Sequence, residues 1–274
     1  MRLKFLYPFW GSEALPFEAF LNVVKSNGFD GIEINVPKDS IFETMFYDAL
    51  KKERQQNPNF ICALQQVLGV QPETPDSYLE RVLKRLENLV HYQPNFINSH
   101  TGRDYFSFED NCRIIEAIES FSVRYHIPVY HEIHRGRFTF HALTTLKYLE
   151  KFPELKLVGD LSHWCVVSES MLQNQEAIIE KVIPHIQHLH ARIGFEQTPQ
   201  VNDPFAPEWE SYLKQYLDWW RQIRQFHSEK LQFTMTPEFG PYPYMPEAPF
   251  TKKPLADQKA LNLKMKAYLK THLT

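Results

Sequence analysis

The sequence predicts an α/β chain folded as a single (β/α)8 TIM barrel over residues 1–274. Two observations carry that expectation. Short runs of β-forming residues alternate eight times with stretches of helical periodicity, the order that builds a parallel sheet covered by helices. The length of 274 residues suits one closed barrel, for which about 250 residues is typical, and no linker divides the chain.

Strands are expected near 3–7, 31–35, 60–65, 95–100, 127–132, 156–160, 185–191 and 231–237. The first lies in a basic, apolar start that resembles a targeting segment. Lys4 and Pro8 interrupt the run and Ser12-Glu13 ends it early, so it is read as a strand. Helices are expected near 16–27, 40–56, 76–91, 109–124, 140–151, 168–183, 207–227 and 255–271. In the first, Pro16 suits the opening turn, Phe17, Phe20, Leu21 and Val24 form one apolar stripe, and Gly28 ends it. Gly31-Ile32-Glu33-Ile34-Asn35 follows at once as the second strand. The third helix places Leu79, Val82, Leu83, Leu86 and Val90 on one face, and the fourth uses Ile114, Ile115, Ile118 and Phe121. The helix with Trp209, Tyr212, Tyr216, Trp219 and Trp220 is either a layer over the barrel or an exposed interface, and a homo-oligomer stays open. Two irregular stretches, 192–207 with three prolines and 237–254 with six, directly follow strands. Loops after strands form the active-site face of such barrels, and proline lowers the entropy cost of ordering them; plain exposed connections are the other reading.

Composition narrows the function. With 43% hydrophobic and 14% aromatic residues the chain can fill a large core, and its net charge of −3 gives no basic footprint for nucleic acid. No run approaches the roughly 18 apolar residues of a membrane span. Cys62, Cys112 and Cys165 are scattered and odd in number, which reads as reduced thiols in the cytoplasm.

Chemistry concentrates at four strand ends. Glu132 ends Pro128-Val-Tyr-His-Glu; a carboxylate there must be paired, protonated or metal-bound, with Arg135 or Arg137 as possible salt-bridge partners. Asp160 ends Leu155-Lys-Leu-Val-Gly-Asp, and His163 follows three residues on, so both can turn toward one point; Asp160 could instead cap the next helix. His188 and His190 share a strand face by alternation. His190 is the preferred ligand, being nearer the strand's end, with His188 orienting a ligand by a hydrogen bond or touching substrate; either could be a core histidine. Glu238 ends Phe233-Thr-Met-Thr-Pro-Glu and repeats the Glu132 pattern, again with a structural ion pair as the alternative. Glu, Asp, His and Glu together suit one hard or borderline divalent ion: Mn2+ or Mg2+ first, with Zn2+ or Co2+ compatible. Trp10 and Trp164 could pack on a sugar face or be core aromatics, Arg192 could clamp a carboxylate or phosphate, and Arg103 is a weaker candidate for that role.

At these residues the sequence resembles the sugar phosphate isomerase/epimerase superfamily of xylose isomerase-like TIM barrels. The likeness runs from Gly28-Phe-Asp-Gly-Ile-Glu33 through Asn98-Ser-His-Thr-Gly102 to Thr236-Pro-Glu-Phe-Gly240. It implies one divalent ion held by Glu132, Asp160, His190 and Glu238, the two glutamates as acid and base, and His163 on the substrate. The expected function is a metal-dependent sugar or polyol isomerase/epimerase working through an enediolate, with a small-molecule substrate. A keto-polyol dehydratase is the near alternative. The superfamily's apurinic endonucleases are a second: His100 matches one of their positions, but the third strand, Cys62-Ala-Leu-Gln-Gln66, and the segment Val201-Asn-Asp-Pro204 lack their histidines. A non-catalytic binding barrel is the third.

Overall fold

Eight parallel strands close into a barrel in sequence order. They are β1 (Arg2–Pro8), β2 (Gly31–Ile34), β3 (Ile61–Gln66), β4 (Phe96–Ser99), β5 (Val129–Glu132), β6 (Leu157–Gly159), β7 (Ile186–His190) and β8 (Gln232–Thr236). The structure, a computed structural model, describes residues 1–273. Closure is made where β8 returns to β1, with Arg2 opposite Gln232 and Phe5 opposite Met235. Each expected strand is present, with ends within a few residues of those read from the sequence.

The helices are α1 (Phe17–Ser26), α2 (Ser40–Gln56), α3 (Pro75–Val90), α4 (Phe108–Tyr125), α5 (Ala142–Lys151), α6 (Ser162–Ser168), α7 (Glu176–Val182), α8 (Glu210–Phe226) and α9 (Gln258–Leu273). Their starts obey local chemistry. Asp39 and Ser107 accept from the N–H groups of Phe42 and Asp110, and Thr74 and Ser77 form a reciprocal capping box ahead of α3. Gly28 (φ +62°) turns the chain out of α1 in the left-handed region. The α1 stripe of Phe17, Phe20, Leu21 and Val24 is buried as expected, and so are Ile114, Ile115, Ile118 and Phe121 of α4. Tyr216, Trp219 and Trp220 of α8 are buried, so that aromatic face covers the barrel.

One expected helix is corrected. The 168–183 stretch is not continuous. A short helix begins earlier, at Ser162, and ends where Glu169 (φ 45°) turns left-handed; Leu172 (φ 59°) turns again before α7. Leu172 is fully buried, so the apolar pattern that suggested one helix reflects a packed turn.

Inside the barrel the side chains fall into layers. An apolar floor of Leu6, Ile61, Ala63 and Phe96, with Tyr130 packed on it, forms a cluster apart from the main core between sheet and helices. Strand alternation then lifts Glu33, Gln65, Asn98, Glu132, His190 and Glu238 to the layers above, toward the C-terminal strand ends. No helix among the described residues is long and apolar enough to cross a membrane.

Candidate metal centre and active site

At the C-terminal mouth a cavity of about 400 Å³ opens, with Phe9, Trp10, Pro37 and Val67 as an apolar wall and His100, Glu132, His134, Arg192, Glu238 and Tyr244 among its polar lining. The four strand-end residues lie at its base in two overlapping sets that share Asp160. His190 Nδ1 lies 2.8 Å from Glu238 Oε2 and 3.8 Å from Glu132 Oε1. Asp160, His190 and Glu238 offer ligand atoms within 4.8 Å of one another, and Glu132 does so with Asp160 and His163. Asp160 and His190 are fully enclosed, whereas Glu132 and Glu238 reach the cavity.

Each group is held by identifiable partners. Glu132 Oε2 accepts from Asn98 Nδ2 at 2.6 Å and pairs with His100 Nε2 at 2.9 Å. Arg137 Nη2 lies 3.5 Å from His100 Nδ1; a guanidinium can only donate, so in the neutral ring Nδ1 accepts and Nε2 carries the proton toward Glu132. Neither Arg135 nor Arg137 bridges to Glu132; its ion-pair partners are His100 and His190. Asp160 divides its oxygens: Oδ1 accepts from Ser162 at the start of α6, while Oδ2 takes Arg192 and lies 3.6 Å from His163 Nε2. Leu161, not Asp160, is the N-cap of α6, so Asp160 does not cap that helix as the alternative expected, though its Oδ1 binds the helix's first residue.

Electrostatics separate the two cavity glutamates. Burial alone would raise Glu132, but the charges of His100 and His190 and the His100 hydrogen bond outweigh it and hold the carboxyl far below its usual range. For Glu238 burial prevails over His190 and Arg192, and its pKa is raised. Burial likewise opposes charge on His190, yet Glu238, Glu33 and Glu132 together raise it well above the usual histidine value. Burial and neighbouring cations push His134 and His163 well down.

Several expected residues stand elsewhere. Trp164 does not face the cavity: it is fully buried and donates Nε1–H to the Thr139 carbonyl at 2.7 Å. Because α6 begins at Ser162, adjacent residues diverge by about a third of a turn, and Trp164 leaves the site as His163 enters it. His188 does not line the cavity either. It lies in the layer beneath, on Thr234 Oγ1 (2.7 Å), Glu33 Oε2 (3.2 Å) and the Phe96 ring. His163 is enclosed under His134, their rings 3.9 Å apart. Arg103 pairs with Glu73 at 2.8 Å over the Tyr78 ring, away from the cavity. Trp10, His100 and Arg192 do line the cavity.

Three residues at the site were missed. Glu33 lies directly beneath it, buried, and contacts both His188 and His190; an acid inside the apolar strand Gly31-Ile-Glu-Ile should have raised the same question as Glu132. His134 stacks between His100 and His163. Tyr244, from the proline-rich 237–254 loop, lies under the Arg192 and Arg135 guanidiniums at 4.7 and 5.4 Å; nothing in a coil sequence marks such a side chain.

The arrangement fits a divalent ion. The donors are three carboxylates and an imidazole, and His190 Nδ1, buried and 2.8 Å from Glu238, lacks the alignment of a hydrogen bond. Arg192 shares the same ground, donating to Asp160 and lying 3.7 Å from Glu238 Oε2.

No protein-family profile matches the chain, and no curated protein matches it by sequence. Solved structures do resemble it. The probable 3-DHS dehydratase AsbF involved in petrobactin synthesis, from Bacillus anthracis, is 16% identical with a TM-score of 0.65, covering 99% of each chain. A xylose isomerase-like TIM barrel protein from Mycobacterium smegmatis, in complex with magnesium, is 10% identical with a TM-score of 0.62 over 99% of this chain and 98% of that one. A sugar phosphate isomerase/epimerase from Parabacteroides distasonis is 12% identical, with a TM-score of 0.54 over 100% and 94%. In fold, the protein is a xylose isomerase-like TIM barrel.

Proposed function

We propose that the protein is a divalent-metal-dependent isomerase or epimerase of a small sugar or sugar-derived polyol. The observation that carries this is the pair Glu132 and Glu238. They reach one cavity, both approach His190 Nδ1, at 3.8 and 2.8 Å, and their carboxyl groups are shifted in opposite directions. Two carboxyls driven apart in this way are suited to opposite halves of a proton transfer.

Glu132, held ionised, removes the proton next to a carbonyl and leaves an enediolate. Glu238, the group that retains its proton more readily, returns one to the opposite face or the neighbouring carbon. A divalent ion on Glu132, Asp160, His190 and Glu238 would polarise the substrate's carbonyl and hydroxyl oxygens as a Lewis acid. His100, its Nε2–H turned to Glu132, keeps the base oriented. Phe9 and Trp10 offer an apolar wall for the C–H face of a sugar, and about 400 Å³ is a small-molecule volume. Mn2+ or Mg2+ suits the donors best, with Zn2+ or Co2+ compatible.

β-Elimination by the same pair is the second reading, favoured by the dehydratase among the structural neighbours. There Glu238 would deliver its proton to a departing hydroxyl. The hydrolase reading is weakened by β3, which brings Gln65 rather than a histidine to the cavity.

The test has two stages. Untagged protein purified without chelator should carry about one divalent ion per chain after manganese add-back, and Asp160→Ala should lose it. A panel of sugars and polyols in D2O should then show deuterium entering a carbon position; a new conjugated carbonyl absorbing in the ultraviolet would select dehydration. Protein that binds no ion even after add-back sinks the proposal.

A further inference from the structure

His190 is claimed by two clusters. One consists of Glu33, His188 and His190; the other of Asp160, His190 and Glu238. The ring has two nitrogens and they face opposite ways: Nε2 lies 3.0 Å from Glu33 Oε1, and Nδ1 lies 2.8 Å from Glu238 Oε2. Which nitrogen is free to ligate decides which cluster can hold an ion.

The contacts of Glu33 decide it. Its Oε1 receives Gln65 Nε2 (3.2 Å), Asn98 Nδ2 (3.0 Å) and His190 Nε2 (3.0 Å); its Oε2 receives Thr236 Oγ1 (2.5 Å) and His188 Nε2 (3.2 Å). These five donors occupy the roughly four lone-pair sites of a carboxylate, so Glu33 has none left for an ion. A carboxylate only accepts, so the His190 nitrogen that meets it must carry hydrogen. In the neutral ring, the form that ligates, that leaves Nδ1 as the lone pair, and Nδ1 is the buried atom without an aligned hydrogen bond.

We infer that Glu33 is a positioning residue which fixes His190 as the Nε2–H tautomer and aims Nδ1 at Glu132 and Glu238, so that the cluster at the cavity, and not the one beneath it, is the cation site. Glu33 touches neither the cavity nor the substrate. Carboxylates behind ligating histidines set ring orientation and basicity, and their loss costs about 10–100-fold in metal affinity. His188 and Thr236 anchor Glu33 from the far side. This assignment also gives a role to the buried acid on β2. It rests on the proposed metal dependence.

The test uses Zn2+ as a diamagnetic probe on the full chain. A long-range 1H–15N spectrum of the zinc-loaded wild type, with His190 identified by its loss in His190→Gln, should show zinc on Nδ1 and hydrogen on Nε2. Zinc and manganese titrations by calorimetry should show Glu33→Gln binding about 10–100-fold more weakly, with the metal-free variant keeping the wild-type near-ultraviolet circular dichroism. Coordination through Nε2, or wild-type affinity in Glu33→Gln, overturns the assignment while leaving the metal dependence standing. A wild type that binds neither ion removes both. Should Glu33→Gln not fold, the wild-type spectrum alone decides.

Discussion

Glu132 and Glu238 are one side chain in two settings, and their difference gives a residue-scale prediction. Glu132 is surrounded by donors, Asn98 and His100, while Glu238 has burial as its dominant influence. Replacing either by Gln should lower turnover by about 10²–10⁴-fold, the usual worth of one general acid or base, with folding intact. The two variants should differ in isotope exchange. Glu238→Gln keeps the base, so a labelled α-hydrogen should still wash out of the substrate without product forming; in Glu132→Gln washout should stop as well. Equal washout in both would show that the roles are not divided this way. At this scale the four strand-end residues at the cavity base were readable because a charge at the end of an apolar strand is costly unless it is used. Glu33 obeyed the same rule, but it stands one alternation deeper, where only cross-barrel contacts to His188, His190 and Thr236 give it a purpose. Trp164 was misplaced because its direction depends on where α6 starts, a boundary that its neighbours in sequence do not mark.

Elements aim these residues, and the least regular one closes the mouth. The 237–254 loop is clamped at Gly240, whose N–H donates to Gln200 Oε1 at 2.7 Å and whose carbonyl accepts Gln200 Nε2 at 3.0 Å. The Trp10 ring lies so close to Gly240 that a Cβ there would sit 2.1 Å from its Cη2 atom. Trp10 in turn meets Tyr244 edge to face at 5.0 Å. Gly240→Ala must therefore displace Trp10 from the cavity wall. We expect overpacking to cost about 1–3 kcal/mol, seen as a lower Tm, together with altered tryptophan emission. An unchanged Tm and emission would show that the loop is not held by this contact. The regular elements were legible, since strand alternation and helical stripes are written in short windows of sequence. The loop was recognised as belonging to the active face, but its pinning was not, because Gln200, Gly240 and Trp10 come from three separate segments. The α6–α7 break was hidden for a related reason: Leu172 is apolar for packing within a turn, and period alone cannot separate that from a helix.

For the whole molecule, the site's buried histidines tie stability to pH. His134, His163 and His188 are held neutral below the ordinary histidine range, in each case chiefly by burial. In the unfolded chain they would take up protons as pH falls through about 6.5, while the folded protein resists doing so. The unfolded state then binds more protons, and stability falls with falling pH, by up to about 1.4 kcal/mol per pH unit for each histidine. His190 runs the other way. Its raised value contributes stability that is fully present below about 6.5 and is lost as pH rises through its folded pKa, so it cannot offset the acid-side loss. Glu33 and Glu132, both depressed, contribute fully above the ordinary glutamate value of about 4.3 and lose that contribution as the pH falls from there toward their folded values. Chelator-treated protein should therefore begin to lose Tm just below pH 6.5, well before the depressed carboxylates of Glu33 and Glu132 titrate. His163→Gln should make that loss shallower by removing one of the three sites. A Tm that stays level down to about pH 5, within the range where unperturbed histidines protonate, would mean that these rings already carry protons in the folded barrel, and the neutral His134–His163 pair beside the cavity would have to be redrawn as a cationic one.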